Sequence, residues 1–242
     1  MRVVSITDMV RHQLEQAIFT GKIKPGTQLK EEKIAEDLEI SRPPIRETFK
    51  TLEAEGLVIR KPRRGVFVAE LKERDAWEIY TLKAELYQLS IELSFDELNR
   101  SDLDRMAELV QAMEACVRAD PPNIASYQEV NEAFHDVHVE AAGHGRLKKM
   151  IGTLHNQIKY YSSLSLTNPA HLEGSFRYHV EIMKSFQAGD KEGAIRWTRD
   201  HVLAGLNRIR DLTAREPSGS PSRRAGEDGE SGLEISWVRE EG

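Results

Sequence analysis

Apolar residues at Ile6, Val10, Leu14, Ala17 and Ile18 recur at helical spacing and predict an amphipathic helix over residues 5–20. Ser5 with Asp8 makes a capping start, and Gly21 a stop. A turn at Pro25-Gly26 leads to a short helix, Glu31 to Leu38, with Ile34, Ala35 and Leu38 inward. Ser41 is an N-cap for a further helix, Arg42 to Glu55, whose buried face is Ile45, Phe49 and Leu52 and which Gly56 ends. Leu57 to Arg60 and Val66 to Ala69 then alternate as two strands, joined by the basic tip Lys61-Pro62-Arg63-Arg64-Gly65. From Glu73 the period is helical throughout, in six segments: about Glu73–Phe95, Ser101–Arg118, Ile124–Ala142, Arg146–Leu166, Leu172–Gln187 and Lys191–Ala214. Leu82, Leu86, Leu89 and Leu93 form the apolar stripe of the first of these.

The pattern predicts a mainly α protein. A winged helix-turn-helix occupies residues 1–72, an all-helical bundle residues 73–215, and a Ser-, Gly- and Pro-rich tail, read as disordered, residues 216–242. Charge sharpens the division. Residues 1–72 carry a balance of +3 and the remainder −9, within a net −6 over 242 residues. A basic head on an acidic body suits a polyanion partner at the head only. The single cysteine, Cys116, sits in an apolar helical pattern with Met113 and Val117, so it reads as packing and no intrachain disulfide can form. No signal region and no membrane-length apolar run is visible, which leads to the expectation of a soluble cytoplasmic protein.

Reading a major groove needs donors near the start of an inserted helix and phosphate contacts that hold it in place. Ser41, Arg42 and Arg46 supply donors at that start, and Lys50 extends the face by a turn. Lys61, Arg63 and Arg64 at the hairpin tip can reach phosphates or the minor groove. The segments Leu29-x-Glu31-x-x-Ile34-Ala35, Ile40-Ser41-Arg42-x-Pro44-Ile45-Arg46-Glu47, Leu52-Glu53-x-Glu55-Gly56-Leu57-Val58 and Arg63-Arg64-Gly65-x-x-Val68 resemble the DNA-binding domain of the GntR family of bacterial transcription regulators. The resemblance implies operator contacts by Ser41, Arg42 and Arg46, and a wing shaped by Gly65. Pro43-Pro44 departs from it, since one proline is usual there.

Seven of the eight histidines follow residue 134. Three imidazoles and an amide oxygen inside a bundle could bind a divalent transition metal, but spacing alone selects no particular set. Asn131 and His135, Ala142-Gly143-His144 with Leu147, Tyr178-His179 with Ile182 and Gly189-Asp190, and His201 resemble the FCD domain of the FadR-type subgroup. That resemblance implies Asn131, His135, His179 and His201 as metal ligands, with zinc first and nickel or manganese as alternatives. His12, His138, His144, His155 and His171 then read as structural or surface residues. Lys83 stands where relatives carry an effector-binding Arg, and it lacks that residue's planar two-point grip. Asn in place of Asp leaves the ion's full double charge, which favours an anionic effector, a small organic carboxylate. Together these lead to the expectation of a ligand-controlled regulator, a repressor, acting as a homodimer on a palindromic operator of double-stranded DNA. Two alternatives stand beside it. One is a metal-dependent helical hydrolase with an appended DNA-binding module, using Asp136 or Glu140 as base. The other is a DNA-compacting protein without a ligand.

Overall fold

Ser5 accepts the Asp8 amide at 3.1 Å and starts helix α1 (Ile6–Phe19). Beyond it, the computed structural model describes residues 5–215, which divide into two units, one ending at Leu71 and one spanning Lys72–Arg215. The tail predicted over 216–242 lies outside the described residues.

The first unit continues with β1 (Gln28–Leu29), α2 (Glu31–Asp37), α3 (Arg42–Ala54), β2 (Val58–Lys61) and β3 (Gly65–Val68). Val10, Leu14, Ile18, Ile45, Phe49 and Leu52 interlock α1 with α3, and Leu57, Val66 and Val68 seal the sheet against them. Phe49 is fully buried, so truncating it to Ala would cost about 3–5 kcal/mol. The strands are antiparallel in the order β1-β3-β2, with Val58 opposite Val68 and Lys61 opposite Gly65. Both hairpin strands lie within a residue of the expected bounds. Strand β1 was not foreseen, because a two-residue strand with one polar member has no alternation to read. It pairs Gln28 with Phe67 and Leu29 with Val66. The Gln28 side chain then donates to the Arg64 carbonyl at 2.7 Å, pinning the hairpin tip.

The second unit is a bundle of α4 (Glu73–Ser94), α5 (Arg100–Arg118), α6 (Ile124–Ala141), α7 (Gly145–Leu166), α8 (Pro169–Ala188) and α9 (Lys191–Arg215). Helix α4 lies along α9, α9 also packs on α8, and α5 on α6. Ile91, Met106, Met113, Tyr127, Phe134 and Ile182 are the centre of its core. Cys116 packs at its margin, and burial raises its thiol. Helix α8 begins earlier than the apolar pattern indicated. Asn168 accepts the His171 amide at 3.0 Å and Pro169 takes the first helical position, where its missing N–H costs nothing. Gly189, left-handed at φ 69°, ends the helix as expected.

The leucine stripe of α4 does not face the core. Leu82, Leu89 and Leu93 are 44 %, 37 % and 42 % exposed, while Tyr80, Lys83, Tyr87, Ser90 and Ile91 point inward. The cause is a polar cavity on the inner side of α4. It draws a mixed face inward, and hydropathy alone selects the other one.

Candidate functional site

Helix α3 presents Arg42, Arg46 and Lys50 to solvent, opposite Ile45, Phe49 and Leu52. Arg42 reaches Glu32 at 3.0 Å and Arg46 reaches Glu31 at 2.7 Å, so two carboxylates of α2 hold both guanidiniums on one face. Lys50 pairs with Glu47 at 2.7 Å. Exposed pairs of this kind contribute about 0–1 kcal/mol each, so a nucleic acid can exchange them at small cost. Ser41 occupies the N-cap with extended backbone, yet its side chain makes no cap bond. The expected capping is therefore corrected. A cap hydroxyl accepts from the amide two or three residues on, and those residues are Pro43 and Pro44, which have none. The Ser41 hydroxyl is exposed and spared from capping.

At the wing, Arg64 N–H bonds the Lys61 carbonyl at 3.0 Å and closes a tight turn. Arg63 sits in that turn at φ 60°, a left-handed conformation uncommon for a long side chain. Gly65 follows at φ 99°, and a Cβ there would stand 3.1 Å from Gln28 Nε2. Lys61 Nζ lies 4.6 Å from the Phe67 ring centroid, so the exposed cations of the tip rest on an aromatic base.

In the second unit, α6, α8 and α9 bring His135, His179 and His201 together, with one ligating atom from each lying within 4.8 Å of the others. Tyr87 stacks on His135 at 4.9 Å, and Phe134 meets His135 and His179 edge-on, so the rings have little freedom. Burial lowers the basicity of all three, His179 to about 4 against the opposing Ser175 carbonyl and the others well below their ordinary value, with neighbouring imidazoles adding to the effect at His135 and His201. Neutral imidazole is the ligating form. His179 Nδ1 is 2.7 Å from the Ser175 carbonyl and must carry the proton, which leaves Nε2 as a lone pair. That lone pair points at His135 Nε2, 3.2 Å away. A shared ion at about 2.0–2.1 Å from each nitrogen would separate them by about 3.3 Å in tetrahedral geometry. One turn before His135, Asn131 Oδ1 is buried without a hydrogen-bond partner. A metal ion fits this donor set: three neutral nitrogens and one unpartnered oxygen.

Asn131, His135 and His201 border a cavity whose other walls include Lys83, Gln128 and Ser162. Lys83 is only 7 % exposed, and burial lowers it to about 8. Its Nζ is 3.1 Å from His155 Nδ1. His155 Nε2 in turn lies 3.0 Å from Glu132 Oε1, and Lys159 bonds the other Glu132 oxygen at 2.8 Å. Burial would raise Glu132, but contact with His155 and Lys159 outweighs it and holds the carboxyl at about 2. His155 is itself lowered by burial and by Lys83, so the charge of Glu132 is met by Lys159 rather than by an imidazolium. Lys83 thus lines a polar cavity as a cation whose nearest polar partner is a neutral ring.

The histidines read as structural or surface residues divide between those roles. His138 is fully buried against His135, His155 holds Lys83, and His171 borders the cavity. The spacing of His135 and His138 put them on neighbouring parts of one helix, but nothing in it announced a contact between the rings. His144 caps α7, accepting the Leu147 amide at 3.3 Å, and His12 is exposed. Asp136 and Glu140, the bases considered for hydrolysis, are both exposed.

A winged helix-turn-helix with exposed cations on its second helix and wing, joined in one chain to a helical unit with an imidazole-walled cavity, defines a DNA-binding regulator. The chain matches the bacterial regulatory proteins of the gntR family over residues 6–68 and the FCD domain over residues 78–204. It belongs to the GntR family of transcription regulators, in the group that carries an FCD domain, which makes it a regulator and not an enzyme. It is 29 % identical over 196 residues to the uncharacterized HTH-type transcriptional regulator YdhC of Bacillus subtilis (strain 168), covering 81 % of this chain and 85 % of that one. It is 28 % identical over 158 residues to the gluconate operon transcriptional repressor of Bacillus licheniformis, covering 64 % and 62 %. The E. coli McbR/YncC structure shares the fold with a TM-score of 0.72 at 23 % identity, over 87 % of this chain and 99 % of that one. Among the described residues no helix is long and apolar enough to cross a membrane.

Proposed function

We propose that this GntR-family regulator is a cytoplasmic repressor released from a palindromic operator by a small organic carboxylate bound beside a divalent metal ion. Residues 1–72 read the duplex. Ser41, Arg42 and Arg46 meet base edges and phosphates, Lys50, Arg63 and Arg64 meet phosphates, and Gly65 shapes the wing. Residues 73–215 hold the ion, zinc before nickel or manganese, through Asn131, His135, His179 and His201. A bound ion supplies a Lewis-acidic centre with positions open to an anionic oxygen. The observation that carries this reading is the 3.2 Å approach of the Nε2 atoms of His179 and of His135, which lines the cavity that holds Lys83.

Charge completes the argument. Four neutral donors leave the ion at +2, and Lys83 adds a cation to the same cavity. A buried excess of this size calls for an anion. The similarity to a gluconate operon repressor supports repression. The exposed face of Leu82, Leu89 and Leu93 supports a second copy of the chain as the partner that covers it.

Calorimetry of zinc binding with and without a panel of carboxylates tests the reading. In wild type, zinc and effector strengthen each other reciprocally. Asn131→Asp binds zinc more tightly and loses much of that coupling. Equal zinc affinity in all these conditions removes the ion from the effector site.

A further inference from the structure

Ser90 donates its single hydroxyl proton to the Tyr87 carbonyl at 2.7 Å. Its oxygen therefore faces His138 Nδ1, 2.8 Å away, as an acceptor, and that nitrogen must carry a proton. His138 has no solvent exposure, and among the described residues its polar neighbours are this hydroxyl and a second imidazole. A ring so enclosed is neutral, so its other nitrogen, Nε2, holds a lone pair. His135 Nδ1 lies 3.3 Å from that lone pair. With a cation taking up the lone pairs on the other side of the ring, it can approach favourably only as a donor. His135 is then the Nδ1–H tautomer, and its Nε2 is left bare toward His179 Nε2 at 3.2 Å.

We infer that His138 and Ser90 are positioning residues for the metal. Through the chain Tyr87 O, Ser90 Oγ, His138 and His135 Nδ1 they fix the tautomer of His135 and aim its Nε2 at the ion. This rests on the metal-bearing site proposed above. The stacked Tyr87 ring holds the plane of His135, so the position of the proton is the main freedom left to it. The opposite tautomer would place a proton where the cation belongs and set two lone pairs against each other at 3.3 Å, whereas the lone pairs that this tautomer turns together, on His135 and His179 Nε2 at 3.2 Å, are those a shared ion takes up. On the other ligand, the Ser175 carbonyl performs the same task for His179. Two of the three imidazoles are thus oriented from behind, one by backbone and one by a buried histidine. The relay also fastens α6, which carries His135 and His138, to α4.

Zinc calorimetry on the full chain, paired with nitrogen-15 NMR of histidine-labelled protein loaded with zinc, tests the assignment. His138→Leu fills the space but removes the acceptor, and zinc affinity should fall about 10–100-fold. His138→Gln returns an acceptor at similar reach and should recover most of that loss. A merely structural role predicts no such recovery specific to an acceptor. The zinc-loaded wild-type spectrum should show His135 as Nδ1–H, bound through Nε2. Equal zinc affinity in wild type and His138→Leu, or an Nε2–H His135 in wild type, overturns the inference alone. Failure of the wild type to bind zinc overturns the metal site itself and the inference with it. The wild-type spectrum needs no variant, so the test survives if His138→Leu does not fold.

Discussion

Ser41→Ala separates a cap from a contact. At an ordinary N-cap this change costs about 1 kcal/mol, because an amide of the first turn loses its acceptor. Here the first turn of α3 offers no such amide, since Pro43 and Pro44 fill both positions, and the Ser41 side chain makes no cap bond. The expected loss of stability is therefore below about 0.5 kcal/mol, the range of a plain surface substitution. Ser5→Ala is the internal control. Ser5 accepts the Asp8 amide at 3.1 Å in the same unit, and its removal should cost about 1 kcal/mol. Hydrogen exchange of the α1 and α3 amides in the full chain reads both values directly. DNA binding should respond in the opposite order. A hydroxyl bonded to a phosphate contributes about 1.5–3 kcal/mol, so Ser41→Ala should weaken binding at least tenfold. A phosphate carries no sequence, so the loss should be alike on operator and unrelated duplex. Fluorescence anisotropy at fixed salt measures it. If Ser41→Ala destabilises α3 as much as Ser5→Ala destabilises α1, and duplex affinity is unchanged, the hydroxyl is a cap and the argument fails.

Three further outcomes follow from the geometry. Arg63→Gly should gain about 0.5–1 kcal/mol, as relief of a left-handed arginine outweighs the entropy that glycine adds to the unfolded chain. The same variant should bind duplex more weakly, and a variant both less stable and equally tight would contradict the role given to the tip. Lys83→Met should stabilise the second unit by up to about 3 kcal/mol at pH 7, because the wild-type amine is lowered from 10.5 to about 8. For a base so lowered the penalty is full below pH 8 and fades as pH climbs to 10.5, so the advantage of Lys83→Met should vanish by about pH 10.5 in paired thermal melts, and a constant advantage would refute the burial argument. Leu89→Glu should shift the protein to monomer in light scattering, weakening association at least about tenfold, while an unchanged dimer would place the interface elsewhere.

The helices were legible because strong local signals mark them. Ser5 starts α1 and Gly189 stops α8. The fold of the first unit could be read from alternation and turns. Legibility failed where a residue's role depends on what stands opposite it. The leucines of α4 look like core until the polar cavity on the other side is known. Ser41 looks like a cap until its missing donors are counted. His138 and His155 looked incidental because spacing along a helix says nothing of the proton on an imidazole or of the lysine facing it. The family pattern pointed to His135, His179 and His201 where periodicity was silent, and the fold brings these three side by side.

The small strand at Gln28–Leu29 has a consequence for the ligand control proposed above. By stitching the stretch ahead of α2 to the wing, through the Gln28 amide and the Leu29–Val66 pairing, it makes helix and hairpin parts of one casting. Such a casting is poorly suited to being reshaped by a distant ligand. Under the ligand control proposed above, the reading head would respond as one piece, its own shape untouched.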